Sequence, residues 1–181
     1  MIDNSKATIR TFTGKTINLI MPKEEDIDIL DIAHGLSNVC RYNGHCSKFY
    51  SVAEHSVLLS YKYGLAALMH DASEAYLGDL VSPLKKFTTL GKIFIPIEKK
   101  MEKVISSKFQ LGELTEEFDQ ADKAFRMVEK NALFGEKFSW REEHYNYDYD
   151  FSSLFDIVIY GWLPEDAEFY FLKRYYDLTV Y

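Results

Sequence analysis

The chain has 181 residues, 47% hydrophobic and 27% charged, enough for one soluble globular domain with a sizeable core. Its net charge of −7 argues against a general nucleic-acid surface, which needs a basic stripe, but not against a nucleotide, which needs only a local cluster of cations and a metal. No apolar run approaches the roughly 20 residues that span a bilayer, MIDNSKATIR lacks the apolar core of a signal peptide, and Cys40 and Cys46 fit no zinc-finger spacing, so a reduced cytoplasmic setting without membrane contact is expected.

Residues 7–22 read as a β-hairpin. Thr8–Phe12 and Thr16–Ile20 are β-prone runs, and Thr13-Gly14-Lys15 supplies the turn. Two strands alone are marginal, so the hairpin should pack on helices or on another subunit. Glu25–Cys40 reads as a helix with an apolar stripe of Ile27, Leu30, Ile32, Ala33, Leu36 and Val39. His34 within it is either a core histidine bonded to Asp31 or Ser37, or a pocket residue. Arg41–Tyr50 is a loop with a turn at Asn43-Gly44.

Ser51–Tyr63 reads as a helix opened by a capping box of Ser51 and Glu54, so Glu54 has a structural role before a catalytic one. Val52, Val57, Leu58 and Tyr61 form its buried side. His55, taken alone, is a satisfied core histidine. Gly64 breaks the pattern, and a second helix runs from Leu65 to Gly78. Into its apolar face are set His70, Asp71 and Glu74. Buried charge needs compensation, and a metal ion is the cheapest partner for an adjacent imidazole and carboxylate. His70 and Asp71 lie about 100° apart on a helix, and Glu74 falls on the same side, placed to address water on that ion. Asp79 follows at the turn, and Pro83 opens a new segment with Lys85 and Lys86 behind it.

A long helix is expected from about Thr89 to Lys108, with Pro96 kinking it or moving its start, and with Glu98, Lys99, Lys100, Glu102 and Lys103 on a solvated face. Thr115–Phe134 is another helix. Phe118, Ala121, Ala124, Phe125, Val128 and Ala132 point inward, Asp122 flanks that face, and Arg126 shares its side. Gly135–Asp150 is a polar, aromatic loop with an exposed His144. Phe151–Trp162 and Pro164–Tyr176 close the chain, the second as a helix, and their aromatic load suggests core closure or a subunit interface. The fold class is therefore mainly α with a short hairpin, and residues 1–181 form a single domain.

Three segments carry a family resemblance. HDASEAYLGDLVSPLK resembles the central motif of the HD-domain metal-dependent phosphohydrolases, in the branch of the bacterial 5′-deoxynucleotidases and the phage dATP triphosphohydrolases. SVAEHS, Ser51–Ser56, resembles the upstream segment with the first metal histidine, and QAD, Gln120–Asp122, the late segment with the last metal aspartate. The match spans roughly Asp31–Arg126. It implies an HD-type helical bundle, and a divalent ion (Co, Mn, Zn or Mg) held by His55, His70, Asp71 and Asp122. Glu74 would orient or deprotonate water, and Asp79 would position the sugar or that water. An arginine at about the offset of Arg41 sits beside substrate in this branch. Arg41 and Lys85 are thus candidate phosphate contacts, with Lys86 the weaker lysine. Tyr42 either stacks on the base or simply packs. His45 touches phosphate, donates a proton, or is an exposed loop residue.

The implied reaction is hydrolysis of the bond between the nucleoside 5′-oxygen and phosphorus. The hairpin and the DIAHGLS…RYNGH segments look more like the compact phage-type enzymes, which implies a dNTP, dATP first, as substrate and a homo-oligomer. A 5′-deoxynucleotidase acting on dNMPs shares every metal residue, a cyclic-nucleotide phosphodiesterase is less fitting for so short a chain, and a non-catalytic nucleotide-binding HD protein is the alternative outside catalysis.

Overall fold

The computed structural model describes residues 3–135 and 150–180. Residues 136–149, His144 among them, lie outside the described residues. The protein is mainly helical, with one small antiparallel sheet. Among the described residues no helix is long and apolar enough to cross a membrane.

The sheet is the expected hairpin, but shorter. β1 (Thr8–Arg10) pairs with β2 (Thr16–Asn18) in the register Thr8 to Asn18, Ile9 to Ile17 and Arg10 to Thr16. The turn closes by a bond from the Thr11 N–H to the Lys15 carbonyl at 2.9 Å, with Gly14 at φ +86°. Helix packing stabilises it. Asp31 accepts from the Thr13 N–H and hydroxyl at 2.6 and 2.8 Å, and Ile17 is fully buried beside Ile32 and Leu36.

α1 (Ile29–Asn38) starts later than the apolar stripe suggests, because the Asp28 side chain caps it by accepting the Leu30 N–H. His34 makes neither of the core bonds expected of it, and it lines a small pocket with Phe12 and Asp31 that is separate from the cleft described below. Asp31 is committed to Thr13, and the Ser37 hydroxyl donates to the Ala33 carbonyl. His34 instead meets Glu168 at 2.9 Å and stacks on Phe12 with ring centroids 3.9 Å apart.

α2 (Val52–Leu68) begins at Ser51, whose hydroxyl accepts the Glu54 N–H, and Gly64, at φ +72°, interrupts its helical geometry. Only half of the capping box forms. The Glu54 carboxylate turns away to accept the N–H groups of Tyr160, Gly161 and Trp162 at 2.7, 2.9 and 2.7 Å. Residues 52–60 are buried all round, since α1, α6 and α7 pack against α2. Tyr61 was expected in the core but is 63% exposed, with the Arg174 guanidinium 4.8 Å above its ring.

The helix expected from Leu65 to Gly78 is broken. After Leu68 the chain tightens through bonds from Ala72 to Met69, Glu74 to Asp71 and Tyr76 to Ser73, and only then forms α3 (Glu74–Leu77). α3 lies so close to α1 that a Cβ on Gly35 would sit 2.8 Å from that of Ala75. α4 (Ser82–Phe87) carries Pro83 in its first turn, and α5 (Thr89–Phe109) is capped by Thr88 and runs through Pro96 without ending. Glu98 is not on a solvated face, for it pairs with Lys85 at 2.6 Å.

α6 (Glu116–Phe134) is capped by Thr115 and buries Phe118, Ala121, Ala124, Phe125, Val128, Glu129 and Leu133. Ala132 is exposed, and Leu133 takes the inward place. α7 (Pro164–Thr179) lays Ala167 and Phe171 against α1 and α2. Of its aromatics Phe171 enters the core, while Phe169, Tyr170 and Tyr176 remain exposed.

Candidate metal centre

Three elements meet at one point. α2 carries His55, which is completely buried, with Phe125 of α6 5.8 Å from its ring. The tight turn after α2 carries His70 and Asp71, and α6 carries Asp122. His55, His70 and Asp122 place ligand atoms within 4.8 Å of one another and could hold a metal ion. Asp71 borders this triangle, its Oδ2 lying 3.1 Å from His70 Nε2 and 3.8 Å from His55 Nε2. Asp122 Oδ1 lies 3.3 Å from His55 Nε2.

The hydrogen bonds around the imidazoles explain why a cation suits this place. His55 Nδ1 faces the Glu129 carboxylate at 2.6 Å, and His70 Nδ1 faces the Ala67 carbonyl at 2.7 Å. Both partners can only accept, so each Nδ1 carries a proton and each neutral ring presents a bare Nε2 lone pair. Those two Nε2 atoms face each other at 3.3 Å. Two lone pairs at that distance need a positive charge between them. Without a metal a proton supplies it. Burial opposes charge on His70, but Asp71 and Asp122 outweigh it and lift its pKa to about 9. Burial likewise disfavours charge on Asp71 and Asp122, yet the neighbouring histidines hold both well below the usual carboxylate range.

Beside the triangle opens a cleft of about 460 Å³, within the range of small-molecule sites. Arg41, Tyr42, Asp71, Glu74, Asp79, Lys85, Asp122, Arg126 and Lys130 reach its wall. Glu74 is nearly buried, and its Oε2 has no hydrogen-bond partner. Burial, then Asp71 and Asp79, raise its pKa to about 9. Burial also pushes Asp79 upward, against the pull of Arg41. Lys85 sits 3.9 Å from Glu74, and Arg126 3.6 Å from Asp122. Of the candidate substrate contacts, Arg41, Tyr42 and Lys85 face the cleft. His45 is exposed and lies outside its lining, and Lys86 is exposed too.

Glu129 was not anticipated. It is fully buried, and it binds Arg41, Tyr42, Tyr50 and His55 together. A signal was present: Glu129 lies seven residues past Asp122, two turns along the same helix, between the inward-facing Val128 and Leu133. A carboxylate on an apolar face needs a partner. Cys40 and Cys46 are free and half-buried.

Fold and site together define a mainly helical protein with a histidine–aspartate group suited to a metal ion. No family model matches the chain. It is 45% identical over 107 residues to the uncharacterized protein YfdR of Escherichia coli strain K12, covering 57% of this chain and 58% of that one. An uncharacterized protein of Rhodobacter capsulatus is 36% identical over 119 residues, covering 59% of this chain and 60% of the relative. The chain thus spans less than two thirds of the length of either relative.

Proposed function

We propose that this protein is an HD-type, metal-dependent phosphohydrolase that cleaves deoxynucleoside 5′-phosphates. The preferred substrate is a deoxynucleoside triphosphate, dATP first, and the products are deoxynucleoside and inorganic triphosphate. The observation that carries this reading is the pair of Nε2 lone pairs facing each other at 3.3 Å, at the edge of a cleft whose wall includes Arg41, Lys85, Arg126 and Lys130. His55, His70 and Asp122 would hold a divalent cation, with Asp71 as the fourth ligand. This mixed nitrogen and oxygen set accepts Mn, Co, Zn or Mg. When bound, the ion supplies Lewis-acid polarisation of a phosphoryl group and a water acidified toward neutrality.

The chain's own residues do the rest. Glu74, with its buried Oε2 unpartnered beside Asp71, holds a proton at neutral pH that it can give to the leaving 5′-oxygen, and a divalent ion beside Asp71 would lower its pKa toward the range in which it takes a proton from water. Asp79 on the same wall orients the sugar or that water. Arg41 and Lys85 offset phosphate charge, helped by Arg126 and Lys130. The cleft lining carries four cationic side chains and four carboxylates. A divalent ion would leave it net positive, which suits a polyanionic triphosphate better than a monophosphate.

The test is incubation with dATP or dAMP and Mn²⁺ or Co²⁺, with products separated by anion-exchange chromatography. Deoxyadenosine and intact triphosphate from dATP are expected. Orthophosphate from dAMP, with dATP untouched, would make the protein a 5′-deoxynucleotidase. Metal binding without turnover of any nucleotide would leave a nucleotide-binding protein.

A further inference from the structure

Glu129 is the most deeply buried acid near the centre, and neither metal binding nor phosphate contact accounts for it. Its two oxygens are fully used. Oε1 accepts from His55 Nδ1 at 2.6 Å and the Tyr50 hydroxyl at 2.8 Å. Oε2 accepts from the Tyr42 hydroxyl at 2.6 Å and Arg41 Nη2 at 3.2 Å. Four donors on four lone-pair sites leave no room for another role.

We propose that Glu129 is a positioning residue that sets the His55 tautomer and, through its second oxygen, holds Arg41 and Tyr42 at the rim of the cleft. This rests on the metal-centre reading above. The His55 side of the carboxylate keeps the proton on Nδ1 and turns Nε2 toward His70 and Asp122. The Arg41 side holds a loop under backbone strain. Tyr42 and Asn43 adopt φ +57° and +51°, a left-handed conformation that non-glycine residues keep only when their surroundings impose it. The Tyr42 hydroxyl bond and the edge contact of its ring with Phe134 impose it here. One buried group thereby links the metal ligand of α2 to the loop that faces substrate.

Only a carboxylate fits. A glutamine would turn its NH₂ toward two of the four donors. The test is Mn²⁺ titration of metal-stripped wild type, Glu129→Gln and Tyr50→Phe by isothermal titration calorimetry, with folding followed by circular dichroism. Glu129→Gln is expected to bind Mn²⁺ about 10–100-fold more weakly, and Tyr50→Phe, which spares the His55 bond, to stay within about threefold of wild type. Wild-type affinity in a folded Glu129→Gln overturns the proposal. Equal losses in both variants also overturn it, because they assign the effect to packing. If wild type itself binds no Mn²⁺, the metal centre falls and this role with it; wild-type binding with no loss in Glu129→Gln removes this role alone. Should Glu129→Gln fail to fold, nitrogen-15 correlation spectra of the Zn²⁺-loaded wild type decide. A proton on His55 Nδ1 supports the proposal, and a bare Nδ1 overturns it.

Discussion

Metal affinity in this protein should depend steeply on pH, and the structure sets the slope. A cation can use His70 only through the Nε2 lone pair, because Nδ1 is tied to the Ala67 carbonyl. That Nε2 lies 3.1 Å from Asp71, which with Asp122 favours the charged ring up to a pKa of about 9 despite burial. At pH 7 the metal must displace a proton bound two pH units below its release point. That costs about 3 kcal/mol, or about 100-fold in apparent affinity. The apparent Kd for Mn²⁺ should therefore fall about tenfold per pH unit from 7 to 9 and level off above. Calorimetry at each pH, in two buffers of different ionisation enthalpy, should also find about one proton released per ion at pH 7 and fewer at pH 9. The metal-free fold should show the opposite trend. The folded pKa of His70 lies above its ordinary 6.5, so the stability it contributes is complete below about pH 6.5 and lost as pH rises through about 9. A flat Kd from pH 7 to 9, with no proton released, would refute the lone-pair argument.

Glu74→Gln should keep Mn²⁺ affinity near wild type while lowering kcat by about 10²–10⁴-fold, the usual contribution of a positioned acid or base; steady-state kinetics beside a metal titration would show it. Gly91→Ala should loosen α4, since a Cβ there would run into the Lys85 carbonyl, with that carbonyl carbon 2.8 Å away. Overpacking of this kind costs about 1–3 kcal/mol. Because α4 is short and lies largely at the surface, the strain should instead displace Lys85 and raise KM for the triphosphate, and an unchanged KM with unchanged urea midpoint would count against it. Phe171→Ala empties a fully buried ring site between α1 and α2 and should cost about 3–5 kcal/mol in urea unfolding, with kcat per folded molecule retained.

Much of this architecture was legible in the order of residues. The Ser51 cap, the Gly64 break, the hairpin turn at Gly14 and most of the inward stripe of α6 depend on side chains within a turn or two of one another, and periodicity with capping chemistry records such short-range choices. The juxtaposition of His55, His70 and Asp122 was readable as well, but through family resemblance rather than spacing. Tertiary structure alone decided the remainder. Glu129 meets His55 across 74 positions and Glu54 reaches Gly161 across 107. His34 found Glu168, Lys85 found Glu98, and Tyr61 lies outside the core with Arg174 over its ring. Such pairings are set by which helix faces come together in three dimensions, and a local pattern shows that a residue needs a partner without saying which one arrives.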